Sequence, residues 1–414
     1  MLVELETAIM HRALDGIEIS KLAYTPAYAV NYVGRVDRPA LQQAFTQLCE
    51  RHPVLRARVN VDQDRCTLHV TPESQPETVI LEGDEQTLLR EISEPCDPRK
   101  EMTKLLLIEN GADGGSVALR TNHATLDGRH FTAVFTELWQ LYTDLVNGNS
   151  LRSEPGHLPV STYALMQDRF EDMVEIPVAQ PEELGQRPDY EIFQHVIELN
   201  QQQSSVVLQA ARSRELTVHA LLCSVVIEAQ VSAMAVDSEA IPMCCWSPVD
   251  LRNRVTPPIK AIDTTNFFAI HQARINYSPS MRWHEIGAAI QNDLKVQLAA
   301  KRLSLTDGTL TLGPGRSTDT EDHGGMEPRL TSVGVSNYGV LPPIPTPDSL
   351  RIVKFHSIAD RIGTPFPTCS AFTFDNSLSI INRYRSDYFT TSEVRTLVNA
   401  TTARLLDRET LLAP

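Results

Sequence analysis

Apolar residues recur at helical spacing through Phe131, Val134, Phe135, Leu138, Leu141, Tyr142 and Leu145, and the stretch before them, Ser116 to Asn122, has the pattern of a short strand. Further helices are predicted over Val218 to Met234, with Thr217 as N-cap, and over Trp283 to Leu303. Tyr190 to Leu199 reads as a strand, and Ala371 to Phe374 with Ser377 to Tyr384 reads as a hairpin joined by Asp375-Asn376. A closing helix starts at Ser392, with Val394, Leu397 and Val398 at its apolar positions. Residues 149–188 are rich in proline and acidic side chains and are expected to cross between two halves of the chain, with local helix from Thr162 to Met173. Residues 306–329 hold Gly308, Gly313, Gly315, Gly324 and Gly325 among Ser, Thr, Asp and Pro; the expectation is a loop, either a cover for a cleft or a plain insertion. Strands and helices alternate irregularly, so periodicity implies mixed α and β structure.

The connection between the first strand and the first helix reads Thr121-Asn122-His123-Ala124-Thr125-Leu126-Asp127-Gly128. Strand-to-helix connections carry side chains into clefts. A histidine there can take a proton from a hydroxyl or amine near neutral pH, because its unperturbed pKa is about 6.5. Asp127 has three open roles: orienting the ring as in a triad, pairing with an arginine, or capping the helix that follows. Gly128 would permit a special backbone conformation or a close approach that a Cβ would obstruct.

Several other chemistries lack their motifs. The spacing of His123, Asp127 and His130 matches neither His-Glu-x-x-His nor a cysteine-based zinc site, so no metal is expected. No Gly-x-Ser-x-Gly elbow occurs, and Gly313-Pro314-Gly315 lacks the lysine and later glycine of a phosphate-cradling loop. His130, two helical turns past His123, is expected at the surface or lining a cleft; His52 and His219 are expected to be structural. Cys244 and Cys245, in the strand-like run Ile241 to Trp246, read as small apolar core residues.

The His123-x-x-x-Asp127-Gly128 segment resembles the active-site motif of the chloramphenicol acetyltransferase-like acyltransferases, which include peptide-synthetase condensation domains. Four further pieces follow that family's order. Leu41 to Leu48 with Arg51-His52-Pro53-Val54-Leu55-Arg56 is similar to its first helix and His-Pro turn, and Leu216 to Leu222 to the start of a helix in its second lobe. Ser247-Pro248-Val249-Asp250-Leu251-Arg252-Asn253-Arg254 is similar to its Val-Asp-x-Arg-x-Arg strand end, and Val335-Ser336-Asn337-Tyr338-Gly339 to its late Ser-Asn turn. Asn122 departs from the pair of histidines that several members carry, and the plant-type Asp-Phe-Gly-Trp-Gly signature is absent.

The resemblance implies a mixed α/β fold (α+β mixed sheets) of two chloramphenicol acetyltransferase-like lobes with an active-site tunnel between them, the lobes taken as residues 1–175 and 176–414. It implies His123 as general base, Asp127 as structural support, and a structural ion pair from Asp127 to Arg252, with Arg254 as second choice. Ser336 and Asn337 become oxyanion or substrate-binding residues, although a turn-forming pair would look the same. The implied reaction moves an acyl group from a thioester, either acyl-coenzyme A or a phosphopantetheinyl carrier-bound chain, to a hydroxyl or less favoured amine of a small molecule. No cofactor is held permanently. The free-standing chain is closest in type to alcohol acyltransferases such as the phthiocerol dimycocerosyl transferase kind. The alternatives are use of the fold for cyclisation or carrier-protein binding, and thioester hydrolysis.

Composition changes this picture only at the margins. A net charge of −15 argues against nucleic acid as a partner. An acyl carrier protein or polyketide synthase would need a local basic patch, for which Arg35, Arg38, Arg51, Arg56 and Arg58 are the early cluster. No run approaches the roughly 20 apolar residues of a membrane span, and the acidic start of the chain lacks a basic-then-apolar leader pattern. Seven cysteines, odd in number and irregularly spaced, suggest reduced thiols. The expectation is a soluble cytoplasmic protein.

Overall fold

Strand–loop–helix order around the motif is as the apolar pattern predicts, and it anchors the first of two units. The computed structural model describes residues 10–62, 65–71, 74–111, 113–151, 156–167, 184–234, 240–299 and 327–413. Most of the glycine-rich stretch 306–329 lies outside these residues, as does the continuation of the expected helices past Gln167 and Ala299. The units are not consecutive halves. The first combines residues 1–188 with 251–267 and 342–361, and the second holds 189–250, 268–341 and 362–414. A single cut after residue 175 is therefore replaced by two interleaved exchanges, and it is the first exchange that carries Arg252 into the unit of Asp127.

In the first unit, β1 (Met10–Ala13), α1 (Gly16–Ser20), β2 (Ala27–Gly34), α2 (Arg38–Arg51), β3 (Arg58–Asp62), β4 (Arg65–Val70) and β5 (Glu77–Glu82) come first. They are followed by α3 (Glu85–Ile92), β6 (Thr103–Glu109), β7 (Gly114–Thr121), α4 (Gly128–Val146) and α5 (Thr162–Gln167). β1, β4 and β3 form a small antiparallel sheet. The main sheet has the order Leu350–Ile358, β2, β7, β6, β5, all antiparallel except the β5–β6 pair. Its faces follow the period of two. Ala27 and Ala29 of β2 face Leu88 and Ile92 of α3. Tyr28, between them, stacks on Phe131 of α4 with ring centroids 4.0 Å apart and meets Phe135 and Phe355 edge-on. Helix α4 thus buries its apolar stripe on the sheet that supplies β7, which holds its N-terminus at the end of that strand.

The second unit contains β8 (Ile192–Glu198), α6 (Gln201–Ser213), α7 (Val218–Met234), β9 (Ile241–Asp250), β10 (Phe268–Tyr277) and α8 (Trp283–Ala299). It continues with α9 (Pro328–Thr331), β11 (Ser332–Val340), β13 (Thr368–Phe374), β14 (Ser377–Arg385), α10 (Thr391–Leu406) and α11 (Arg408–Leu412), the strand of the first unit at 350–358 counting as β12. Its sheet runs β10, β9, β11, β13, β14, β8, with β11 parallel to both neighbours. α7 is apolar all round because it lies against the sheet with α6, α8 and α10 around it. The β13–β14 hairpin turns through Asp375 and Asn376 at φ 46° and 61°, the left-handed pair that Asp and Asn tolerate. Cys244 and Cys245 are buried in β9, and none of the seven cysteines is in a disulfide. Among the described residues no single helix is long and apolar enough to cross a membrane.

Candidate functional site

The motif loop is held open by backbone bonds from outside it. Asn122 N donates to Met102 O at 2.7 Å and His123 N to Tyr24 O at 2.8 Å. Asn122 is fully buried; its Nδ2 donates to Leu22 O at 2.8 Å and its Oδ1 accepts from Ala124 N at 3.0 Å. The asparagine that stands where relatives of the motif carry a first histidine is thus a brace for the loop.

Asp127 combines two of the three roles open to it in the sequence. Its Oδ1 accepts from the N–H groups of Arg129 at 3.1 Å and His130 at 3.0 Å, capping α4. Its Oδ2 accepts from Arg252 Nη1 at 2.6 Å and Phe267 N at 2.9 Å. Both oxygens are committed away from the ring of His123, so the triad geometry does not form. Arg252, buried like its partner, also donates through Nη2 to Thr265 O at 3.3 Å. Arg254 is exposed. Gly128 opens α4 with helical backbone, so a special conformation is not what the position demands.

His123 is half-buried, and Nδ1 is its buried ring nitrogen. Burial, and then the ammonium of Lys21 at the end of α1, push its pKa below the ordinary 6.5; its own backbone carbonyl, the Asp127 charge and Asn266 work against them. The net result is an imidazole that stays neutral at neutral pH, as a general base must.

His130 is not the surface or lining residue its spacing suggests. It is buried, Nδ1 lies 3.0 Å from Thr264 O, and burial drives its pKa well down. The helix turns it into the unit, onto the Thr264 carbonyl. His52 pairs with Glu137 at 2.7 Å and His219 with Ser247 at 2.9 Å, both structural contacts.

Ser336 and Asn337 belong to the second unit and lie within β11, not in a turn after it. The irregularity comes one step later, where the register with β13 shifts between Asn337 and Val340. Asn337 Oδ1 accepts from Gly339 N at 2.9 Å, and Gly339 sits at φ +77°. Asn337 therefore shapes the bulge, and Ser336, facing Ser370 in register on β13, is the side chain free of that task.

Three of the five early arginines are paired with carboxylates. Arg35 meets Asp113 at 3.3 Å, Arg38 meets Glu109, and Arg51 meets Glu137 at 2.8 Å. Among the described residues no cluster of His, Cys, Asp and Glu is placed to hold a metal ion.

The sequence reading missed the segment Thr264-Thr265-Asn266-Phe267. Every one of these residues is fully buried, and each supplies an atom to the site or its supports. Three polar residues ahead of an apolar strand were the only linear signal, and such a run ordinarily marks a solvated loop.

Comparison with known proteins matches the two halves of the chain in order. Residues 14–175 match the family profile described as condensation domain, and residues 191–381 the one described as phthiocerol/phthiodiolone dimycocerosyl transferase C-terminus. The phthiocerol/phthiodiolone dimycocerosyl transferase of Mycobacterium ulcerans is 25% identical, with 88% of this chain and 92% of that protein covered. The solved structure of polyketide synthase associated protein 5 from Mycobacterium tuberculosis superposes with a TM-score of 0.75 at 20% identity, covering 97% of each chain. Trichothecene 15-O-acetyltransferase from Fusarium sporotrichioides superposes with a TM-score of 0.70 at 12% identity, over 97% of this chain and 96% of that one.

Proposed function

We propose that the chain, whose two halves match the condensation-domain and dimycocerosyl transferase C-terminus profiles in turn, is a condensation-domain-like acyltransferase that moves an acyl group from a thioester to the hydroxyl of a small-molecule acceptor. His123 is the base. It takes the hydroxyl proton as the oxygen attacks the thioester carbonyl, the tetrahedral intermediate collapses, the C–S bond breaks, and the proton passes to the departing thiolate. No covalent acyl-enzyme is needed. Ser336 would donate to the oxyanion.

The observation that carries this reading is the division of labour at the motif. Asp127 is wholly engaged with Arg252, Phe267 N and the helix cap, while His123 stays half-buried with a depressed pKa. That arrangement suits a histidine acting by itself on an incoming hydroxyl, not one activating a protein nucleophile.

The donor is either acyl-coenzyme A or an acyl chain on a phosphopantetheinyl carrier. A carrier or polyketide synthase partner accords with the name of the similar mycobacterial structure; a lipid alcohol as acceptor accords with the transferase activity named for the relatives. The test is mass spectrometry of products from the protein and its His123→Ala variant, given acyl-coenzyme A donors of several lengths, a loaded carrier, and a panel of alcohols and amines. An ester made by the parent and not the variant is expected. Free acid as the sole product would replace transfer by hydrolysis, and an amide in place of an ester would overturn the acceptor class.

A further inference from the structure

The four residues Thr264 to Phe267 act as a strap under the motif loop. Thr264 O meets His130 Nδ1, Thr265 O accepts from Arg252, and Phe267 N donates to Asp127. Those three bonds use backbone atoms, which any residue would supply at the same place. Asn266 is different, because its contribution is made by the side chain. Its Nδ2 donates to two consecutive carbonyls of the motif, His123 O at 2.9 Å and Ala124 O at 3.0 Å.

We infer that Asn266 is a positioning residue for His123: its carboxamide locks the peptide that carries the catalytic ring and thereby sets the direction in which Nε2 meets the acceptor. The inference rests on the reading of His123 as base. Both amide hydrogens of Asn266 are spent on the loop, which fixes the 123–124 peptide against rotation. Its Oδ1 is fully buried, and with both Nδ2 hydrogens engaged it is the atom through which Asn266 can act on the ring of His123. The ring of His123 has its buried nitrogen, Nδ1, on the side away from solvent, and Asn266 favours the charged form of that ring, as an acceptor near a ring N–H does. His123's own carbonyl acts on the ring in the same sense, and it is this carbonyl that Asn266 Nδ2 holds. The charged groups acting on the ring are Lys21 from α1 and Asp127 from the start of α4. Asn266 adds no charge to them, so replacing it leaves their balance in place.

Asn266→Ala and Asn266→Ser are compared with the parent in three measurements: steady-state kinetics across pH, unfolding, and NMR titration of 13C-labelled histidine with the His123 signal assigned by its loss in His123→Ala. In Asn266→Ala, kcat should fall about 100-fold for a displaced base, with KM for the donor little changed. The acid limb of the rate profile and the NMR titration of His123 should both move to lower pH. Asn266→Ser, which keeps one donor, should lie between and serves if the alanine variant fails to fold. An unmoved His123 titration, or a rate loss that only follows the folded fraction, overturns the inference. An active His123→Ala would instead sink the assignment of the base, whereas an inactive His123→Ala beside an unaltered Asn266→Ala would sink the positioning role alone.

Discussion

Arg252 donates to Asp127 across 2.6 Å, with both side chains almost fully buried although they stand 125 positions apart in the chain. The same carboxylate caps α4 with its other oxygen. One side chain therefore ties the start of the helix behind His123 to the segment that follows β9, and the motif aspartate is architectural.

Asp127→Ala should accordingly lose stability on two counts. Leaving Arg252 buried and unpaired costs about 3 to 5 kcal/mol, and loss of the cap about 1 kcal/mol. Asp127→Asn keeps a capping oxygen and should be affected less. Urea unfolding orders the three proteins as parent, Asn, Ala. Arg254→Ala, at an exposed position, should unfold like the parent; a loss equal to that of Arg252→Ala would show that the pairing is wrong.

Asn122→His restores the histidine pair found in several relatives of the motif, and here it should weaken the protein. The buried carboxamide holds Leu22 O and Ala124 N at once. Losing those partners costs about 1–3 kcal/mol, and the displaced loop should slow transfer. Gain of activity without loss of thermal stability would contradict the bracing role.

With His123 as the proposed base, the rate should fall as pH drops through a pKa below 6.5, because a base must be neutral to take the proton and burial depresses this pKa. Between pH 7 and 8 this group should impose no further change. A limb at or above 6.5 in kcat/KM would count against the burial argument.

Ser336→Ala tests the oxyanion role against the turn role of its neighbour. A lost oxyanion donor costs about 100- to 1,000-fold in kcat. Asn337→Ala frees Gly339 N from its partner and should act mainly on stability. The reverse pattern in paired kinetics and unfolding would exchange the two assignments.

His219 gives a pH signature from the second unit. Burial, aided by His271, lowers its pKa from 6.5 to about 4. The unfolded chain binds the proton more readily, so the contribution of His219 to stability is present above pH 6.5 and lost as pH falls through about 4. The parent should lose stability over that window relative to His219→Gln, and parallel curves of unfolding free energy against pH would refute this.

Local patterns were enough to find much of this protein. The spacing of Phe131, Val134, Phe135 and Leu138 is the face α4 buries, and Asp375-Asn376 is the turn it promised. Those features depend on neighbours in the chain, through backbone geometry and periodic burial. The His123 motif was likewise legible because its residues are contiguous.

What needed the fold were relationships across distance. Arg252 could be ranked above Arg254 for the ion pair, but only the turn after β9 buries one and exposes the other. His130 reads as a surface or cleft-lining residue from its spacing, yet it is buried against Thr264 O. The Thr264–Phe267 strap has the composition of a solvated loop and is buried because its polar atoms find partners in the motif. Sequence determined which segments could be strands, helices and a proton-transfer loop, since propensity and periodicity are local properties. Tertiary structure alone decided which buried polar groups meet, because that depends on chain segments more than a hundred residues apart arriving within hydrogen-bond distance.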